Sequence, residues 1–166
     1  MKLYETKDKE QRRALNNWHN NDYCGTIIAG TGFGKSRCGV MAINHVLNTL
    51  GGTRALVLVP TTQLKDQFKE EFKKWDCEDC LEKVEVVCYQ IHLGLSNKYR
   101  QFFNNNVYDR ILCLTATPPE EPMYKLHLYS LAPIIYTLTL DECVAMKLVA
   151  PYEICCIPLE LTEDER

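Results

Sequence analysis

The chain has 166 residues, of which 46% are hydrophobic and 25% charged, and these proportions are typical of one globular domain and exclude a disordered or fibrous chain. Its 22 acidic and 19 basic side chains give a formal net charge of −3, so bulk charge does not indicate a nucleic-acid-binding protein and such a function must rest on motifs. The apolar runs are too short to cross a bilayer, and the charged residues 1–9 are unlike a secretion signal. We therefore expect no membrane association and a reducing intracellular compartment, cytoplasmic or nuclear.

Strand-like and helix-like patterns alternate along the chain, which predicts an α/β sandwich with a mainly parallel sheet. The predicted elements, in chain order, are a helix over 9–18, a strand over 24–29, a helix over 35–50, a strand over 54–59, a helix from Thr61 or Thr62 to 75, a strand over 84–89, a helix over 98–103, a strand over 110–114, a helix over 123–131, a strand over 134–138, a helix over 140–148 and an extended stretch over 152–161. Spacing by four residues predicts that Leu64, Phe68 and Phe72 form the inner stripe of their helix.

The nine cysteines are an odd number, and several lie inside apolar segments, where a free thiol packs as a small hydrophobic group. Cys77 and Cys80 have the spacing of half a zinc site. A structural zinc needs four ligands, and no second pair with suitable spacing follows, because Cys155 and Cys156 are adjacent. We therefore expect reduced thiols that serve packing.

A glycine-rich segment lies where the first predicted strand passes into the next helix, with the sequence Ala29-Gly30-Thr31-Gly32-Phe33-Gly34-Lys35-Ser36. Glycines let the backbone turn so that its N–H groups converge on an anion, and the helix N-terminus adds its positive dipole end. A lysine at this point can bridge phosphates, and a serine hydroxyl can bind Mg²⁺. A turn that merely connects two elements would explain the glycines but not Gly-Lys-Ser at a helix start, so the segment predicts binding of a nucleotide with Mg²⁺.

An alanine followed by Gly-Thr-Gly-x-Gly-Lys-Ser resembles motif I of superfamily-two helicases. Residues 56–64 resemble motif Ia, which touches the nucleic-acid backbone, and residues 114–119 resemble motif III, the Thr-Ala-Thr that couples hydrolysis to strand handling. Cys88-Tyr89-Gln90 resembles a Thr-Tyr-Gln segment, with cysteine replacing the threonine. Gln11 is placed like the glutamine that reads adenine in the helicase domains of type III restriction enzymes. The resemblance implies the first RecA-like domain of a helicase or translocase, a P-loop NTPase with a three-layer sandwich.

The resemblance also implies site residues. Those on the nucleotide are Gln11, Gly30, Thr31, Gly32, Phe33, Gly34, Lys35, Ser36 and Arg37. Those implied for catalysis are Lys35, His92, Thr115 and Thr117. Ser36 would hold the metal, and Tyr4 would stack on adenine. Purely structural interpretations of three of these residues stay open. His92 would be a surface histidine after a strand, and the two threonines would be a β-prone pair before the turn at Pro118.

The resemblance places the ATP-binding domain in residues 1–133 and, in 134–166, its C-terminal edge and the exit toward a second RecA-like domain. Nucleic acid is the other implied partner, DNA rather than RNA, with Thr61 and Thr62 as phosphate contacts. Lysines at four-residue spacing follow them: Lys65, Lys69 and Lys73. A solvated helix face accounts for these lysines at least as well, because two glutamates are interspersed among them.

One motif of the family is missing. An Asp-Glu pair after a buried strand should hold Mg²⁺ and orient the attacking water, yet between Gln90 and Ile111 the one acidic residue is Asp109. Residues 91–96 read like the sequence that follows the acidic pair. Our hypothesis is that a segment is absent between Gln90 and Ile91, with a strand and the acidic pair. If Gln90 and Ile91 are covalently joined, we expect nucleotide binding with severely impaired hydrolysis.

Two alternatives from other classes remain. A different P-loop enzyme, such as a small-molecule or nucleoside kinase, would need a lid with clustered arginines, and the arginines after Ser36 are scattered. A nucleotide-binding module that has lost its acidic pair would bind ATP without turnover. The asparagine-rich stretches are compatible with a viral or phage origin.

Overall fold

The computed structural model describes residues 2–88, 107–118 and 120–152, with side chains from Glu5 onward. The α-helices and β-strands of these ranges alternate for most of their length, as the sequence predicts. In chain order they are α1 (Lys2–Asn20), β1 (Cys24–Ala29), α2 (Lys35–Asn48), β2 (Ala55–Val59), α3 (Thr62–Lys74), β3 (Val84–Cys88), β4 (Ile111–Thr115), α4 (Pro122–Leu131), β5 (Ile134–Leu138) and α5 (Leu140–Ala145). A 3₁₀ helix over Glu78–Lys83 precedes β3 and was not predicted.

The five described strands form two separate parallel sheets. In the first, β1 lies between β4 and β5, so that Ile28 is paired with Thr115 and Ala29 with Leu138. In the second, β2 pairs with β3. The prediction of a mainly parallel sheet is thus confirmed for the strand direction, but the strands divide into a group of three and a group of two.

Each sheet has its own apolar core, and α2 contributes to both. Cys38 of α2 packs into the core under the first sheet, together with Ile27 and Phe33. Val40, two residues on, packs into the core of the second sheet with Phe72. Successive residues of a helix point in different directions, so one helix can seal two neighbouring cores.

Gly39 allows α2 to approach both regions closely. A Cβ added at this glycine would lie 3.0 Å from Phe68 of α3 and 3.4 Å from Leu114 of β4. Glycine in a helix interior is unfavourable by about 1 kcal/mol relative to alanine, so this position is occupied by glycine for the packing it permits.

The predicted strand over 134–138 is confirmed at both ends, and the other described elements agree with prediction to within a few residues, apart from α1, which begins seven residues earlier. The prediction that Leu64 belongs to the inner stripe of α3 is wrong, because Leu64 is 39% exposed. The other two residues of the predicted stripe, Phe68 and Phe72, are buried. Leu64 lies in the first turn of α3, which begins beyond the end of β2, and it belongs to neither core. The helix predicted over 98–103 and most of the extended stretch over 152–161 lie outside the described residues.

The seven cysteines among the described residues are free thiols. Burial raises the pKa of Cys38 to about 12 and that of Cys113 to about 11, so these thiols stay protonated at neutral pH. Cys77 lies 3.1 Å from the carbonyl of Trp75, and Cys80 lies 3.5 Å from Oδ1 of Asn44. In the part of the chain that is described, no three His, Cys, Asp or Glu side chains are grouped so that they could hold a metal ion.

No helix within the described ranges combines the length and the apolar character that crossing a bilayer requires.

Candidate phosphate-binding site

The segment over 29–36, here called the phosphate loop, follows the central strand of the first sheet. Because all three strands of this sheet are parallel, their carboxyl ends lie at the same edge. Thr115 ends β4 beside Ile28, and Leu138 ends β5 beside Ala29. Clefts at this edge of an α/β sheet are where ligands bind.

Two glycines give the loop its shape. Gly32 has φ 84° and Gly34 has φ 91°, a left-handed conformation that other residues adopt rarely. The loop is anchored at its base, where the amide of Gly30 donates to the carbonyl of Leu138 at 3.0 Å. Phe33 is fully buried, and its ring stacks with that of Tyr136 at 6.0 Å between centroids. The loop is therefore held at both its base and its apolar side.

The loop presents a set of free donors. Within the described ranges, the main-chain amides of Gly32, Gly34, Lys35 and Ser36 donate no hydrogen bond. The last two begin α2, whose helix dipole places partial positive charge at the same point. Converging unpaired amides at a helix N-terminus are the chemistry that binds phosphate oxygens.

The ammonium group of Lys35 is turned into the loop. Its Nζ donates to the carbonyl of Ala29 at 2.7 Å and to that of Gly30 at 3.1 Å. Burial lowers the pKa of Lys35 below its usual range, because a partly buried position disfavours the charged form. A bound polyphosphate would offset that cost, since it supplies the negative charge that the two carbonyls replace only in part.

The donor set fits a polyphosphate better than it fits the whole magnesium site of the family. Ser36 is half-buried at the start of α2 and can offer one hydroxyl oxygen. Mg²⁺ takes six oxygen ligands, usually water, phosphate and one or two carboxylates. Among residues 2–88, 107–118 and 120–152, no three His, Cys, Asp or Glu side chains are grouped so that they could hold a metal ion.

Gln11 and Arg37, two of the residues implied for the nucleotide, are bonded to each other. Gln11 is 2% exposed, and its Nε2 donates to the carbonyl of Phe33 at 2.7 Å. Its Oε1 accepts from Arg37, which also donates to Asp8. Gln11 is thus fastened to the back of the phosphate loop, and Arg37 points toward α1.

Of the two threonines of the predicted motif III, Thr115 uses its hydroxyl to bond the backbone of the other. Oγ1 of Thr115 donates to the carbonyl of Thr117 at 2.8 Å and accepts from the amide of Thr117 at 3.2 Å. This is a tight side-chain-to-backbone turn, and it fixes the chain direction after β4. The side chain of Thr117 is exposed next to the phosphate loop's edge of the sheet.

The predicted nucleic-acid contacts lie on the second sheet. Thr61 and Thr62 are exposed after β2, and Oγ1 of Thr61 caps α3 by accepting from the amide of Leu64 at 3.2 Å. Of the lysines, Lys73 is ion-paired with Glu70 at 2.8 Å, as expected of a solvated helix face. His92, the Gln90–Ile91 junction and the side chain of Tyr4 lie outside the described residues.

Sequence reasoning missed the residues that cover the loop from the C-terminal side. A Cβ at Gly32 would come within 2.8 Å of the side chain of Val149, and one at Gly30 would come within 3.0 Å of the backbone of Leu140. The two glycines therefore also make room for α5 and for the chain that follows it. The turn alone accounts for these glycines in the sequence, and nothing in the local pattern of Val149 indicates this contact.

A model of the family described as type III restriction enzyme, res subunit, matches residues 3–92 of the chain. That range includes the whole phosphate loop, Gln11 and the predicted motif Ia. No curated protein matches the chain.

Proposed function

Because the chain belongs to the family of type III restriction enzyme res subunits, and so has a RecA-like, helicase-type ATP-binding domain, we propose that it is the first motor domain of a DNA helicase or translocase. The observation that carries the proposal is the phosphate loop, whose main-chain amides are free and whose Lys35 side chain is turned inward. The loop lies at the sheet edge where β4 ends with Thr115. These groups are positioned for a nucleoside polyphosphate.

We assign the phosphate contacts to the amides of Gly32, Gly34 and Ser36 and to the amide and ammonium of Lys35. Ser36 would be a protein ligand of a magnesium ion that arrives with the nucleotide. When bound, that ion would neutralise phosphate charge. The chain's own part is to bind and orient the phosphates.

Gln11 is proposed to read adenine, with Tyr4 stacked on the base. Two groups of the Gln11 amide are engaged, one with Phe33 and one with Arg37. An amide oxygen has a second lone pair, which leaves an acceptor for the exocyclic amine of adenine. Gln11 would then touch the base and the loop at the same time.

The division into two sheets supports the hypothesis of an absent strand. In a three-layer sandwich the inner strands are buried on both faces. Here every residue of β4 is only partly buried, and Leu56 of β2 is 45% exposed. β4 and β2 each have one paired edge among the described strands. A further parallel strand between them would join the sheets, and in this family such a strand carries the acidic pair.

Thr61 and Thr62 are proposed to contact DNA phosphates from the start of α3, with Lys65 and Lys69 close behind. Both threonines are exposed, and the helix N-terminus adds a favourable dipole. A second RecA-like domain would close over the phosphate loop and supply the arginine for hydrolysis. We also propose a domain boundary at residue 133, an intracellular location and a viral origin.

A second candidate is a nucleotide-binding module without hydrolysis. The specific observation in its favour is that the sequence between Gln90 and Ile111 contains one acidic residue, Asp109, in place of an Asp-Glu pair. For the 166-residue chain, both candidates predict nucleotide binding without turnover. They differ in whether a protein that also carries the acidic pair and a second RecA-like domain hydrolyses ATP in response to nucleic acid.

The test is phosphate release from ATP and Mg²⁺ by the 166-residue chain, with and without single-stranded DNA. We expect nucleotide binding with turnover at the background rate in both cases. DNA-stimulated turnover that Lys35→Ala abolishes would show that the acidic pair is not needed and would contradict the absent-strand hypothesis. A chain that binds no nucleotide would contradict the proposed function itself.

A further inference from the structure

One arginine at the start of α2 contacts both α1 and the end of α3. Arg37 lies in the first turn of α2, and its side chain is 12% exposed. Its guanidinium donates to Asp8 and Gln11 of α1 on one side. On the other side it lies 4.3 Å from the ring centroid of Trp75, at the end of α3. A planar guanidinium can make several directed hydrogen bonds while its face stacks on an aromatic ring, which lysine cannot do.

On the loop side, Arg37 decides how the Gln11 amide is oriented. Because Arg37 has only donors, it must face Oε1 of Gln11. Nε2 is then directed at the carbonyl of Phe33, 2.7 Å away, and lies 3.5 Å from that of Gly34. Both carbonyls belong to the phosphate loop, so the position of the loop depends on the guanidinium through one buried amide.

On the other side, Trp75 is fixed to α3. Its Nε1 donates to Oε2 of Glu71 at 2.7 Å, and its backbone amide donates to the carbonyl of the same residue at 3.2 Å. The 13 residues of α3 run about 20 Å from Trp75 to the exposed Thr61 and Thr62. A displacement of Trp75 would therefore be carried by a whole helix.

We infer that Arg37 is a positioning residue that couples the phosphate loop to α3, so that nucleotide binding is transmitted through Gln11, Arg37 and Trp75 to the helix that begins with the proposed DNA contacts. This inference rests on the proposed function, because it needs a nucleotide on the loop. Binding at the loop and the response at α3 are separate quantities, and their link is a coupling free energy.

The experiment labels the chain with 5-fluorotryptophan and follows it by ¹⁹F NMR during titration with ADP and Mg²⁺. The chain has two tryptophans, and Trp75→Phe assigns their signals. Trp18 is an internal reference, because its Nε1 is bonded to the carbonyl of Ile111 at 2.8 Å, at the amino end of β4 and away from the phosphate loop. Calorimetry of the same samples gives the ADP affinity independently.

We expect ADP to shift the Trp75 signal and to leave the Trp18 signal in place. Arg37→Lys should weaken ADP binding about tenfold and remove the Trp75 response. Lysine keeps the charge, but it lacks the planar guanidinium that donates to Gln11 and Asp8 at the same time. The matched control is Lys74→Ala, because Lys74 also lies over the Trp75 ring, at 5.5 Å, but has no bond to the loop. The control should keep both the affinity and the response within about twofold.

The outcomes are separable. If ADP binds the wild-type chain and the Trp75 signal does not move, the inference is overturned and the proposed function stands. If Arg37→Lys keeps the wild-type affinity and response, the inference is overturned as well. If calorimetry detects no ADP binding to the wild-type chain, the proposed function and the inference fail together. The wild-type measurement decides the matter even if the Arg37 variant does not fold.

Discussion

The two sheets of this domain differ in how completely they are built. In the first sheet, β1 is paired on both edges, and Ile27 and Ala29 are fully buried. Among the described residues the second sheet has two strands, and its Leu56 is nearly half exposed. A two-stranded sheet is marginal by itself in water. The phosphate loop thus follows a strand that is paired on both edges, while the proposed DNA contacts lie on the sheet that depends on neighbouring helices.

The largest effect is expected from breaking the core of the second sheet. Phe72 is fully buried and packs against Phe68 at 5.8 Å between ring centroids. Phe72→Ala should lower the free energy of unfolding by about 3–5 kcal/mol, measured by urea denaturation. The control Leu64→Ala, on the same helix but exposed, should change it by less than about 1 kcal/mol. A small loss for Phe72→Ala would mean that the second sheet is not held by this core.

A smaller effect is expected from removing one buried hydrogen bond between β5 of the first sheet and α1. The hydroxyl of Tyr136 donates to Oε2 of Glu10 at 2.7 Å, and Glu10 is 7% exposed. Burial, and then the Glu10 carboxylate, raises the pKa of Tyr136. Tyr136→Phe leaves the carboxylate without this donor and should cost about 1–3 kcal/mol of unfolding free energy.

The matched control for that variant is Tyr152→Phe. The hydroxyl of Tyr152 also donates to a carboxylate, that of Asp141, at 2.8 Å, but its side chain is exposed. It should cost no more than about 0.5 kcal/mol in the same denaturation experiment. Equal costs for the two variants would contradict the burial argument.

The next effect is expected on base selection beside the phosphate loop. If Gln11 reads adenine, Gln11→Ala should weaken ADP binding about tenfold and weaken GDP binding clearly less. Calorimetric titration of both nucleotides measures this ratio. An equal loss for the two nucleotides would limit Gln11 to supporting Phe33 and would remove the adenine contact from the proposal.

The smallest effect is expected from removing the carboxylate of Asp8, which accepts a hydrogen bond from Arg37. The hydrogen bond from Arg12, and then contact with Arg37, hold the pKa of Asp8 below its usual 3.8. A carboxyl with a lowered folded pKa stabilises the fold above its unfolded pKa and loses that contribution as pH falls through the folded value. Asp8→Asn should therefore cost about 1 kcal/mol at pH 7. The difference from wild type should shrink below about pH 4.

Thermal unfolding of the two proteins between pH 7 and pH 2 measures that trend. Asp66→Asn, a change at an exposed position of α3, is the control and should match the wild-type chain within about 0.5 kcal/mol. A difference between Asp8→Asn and wild type that is unchanged at pH 2 would contradict the ion-pair explanation.

The sequence was sufficient to predict what depends on local pattern. β5 and the start of α2 follow from apolar runs, from glycines and from the residue types at helix ends. The phosphate loop could be predicted because its function needs particular residues at fixed spacing. The match to the family over residues 3–92 confirms the resemblance that these residues indicated.

The rest depends on contacts between residues distant in the chain. No periodicity indicates that Arg37 lies between Asp8 and Trp75, or that Val149 approaches Gly32. The exposure of Leu64 follows from where α3 begins relative to β2, which spacing alone does not give. The division of the described strands into two sheets depends on which strands pair with each other, which the pattern within each strand does not indicate.

The most direct test of the central claim is calorimetric titration of the wild-type chain and of Lys35→Ala with ADP and Mg²⁺. We expect the wild-type chain to bind and the variant to bind at least about tenfold more weakly, because the ammonium group is proposed to contact the phosphates. Equal affinity in the two proteins, or no heat of binding in either, would contradict the assignment of the loop as the nucleotide site.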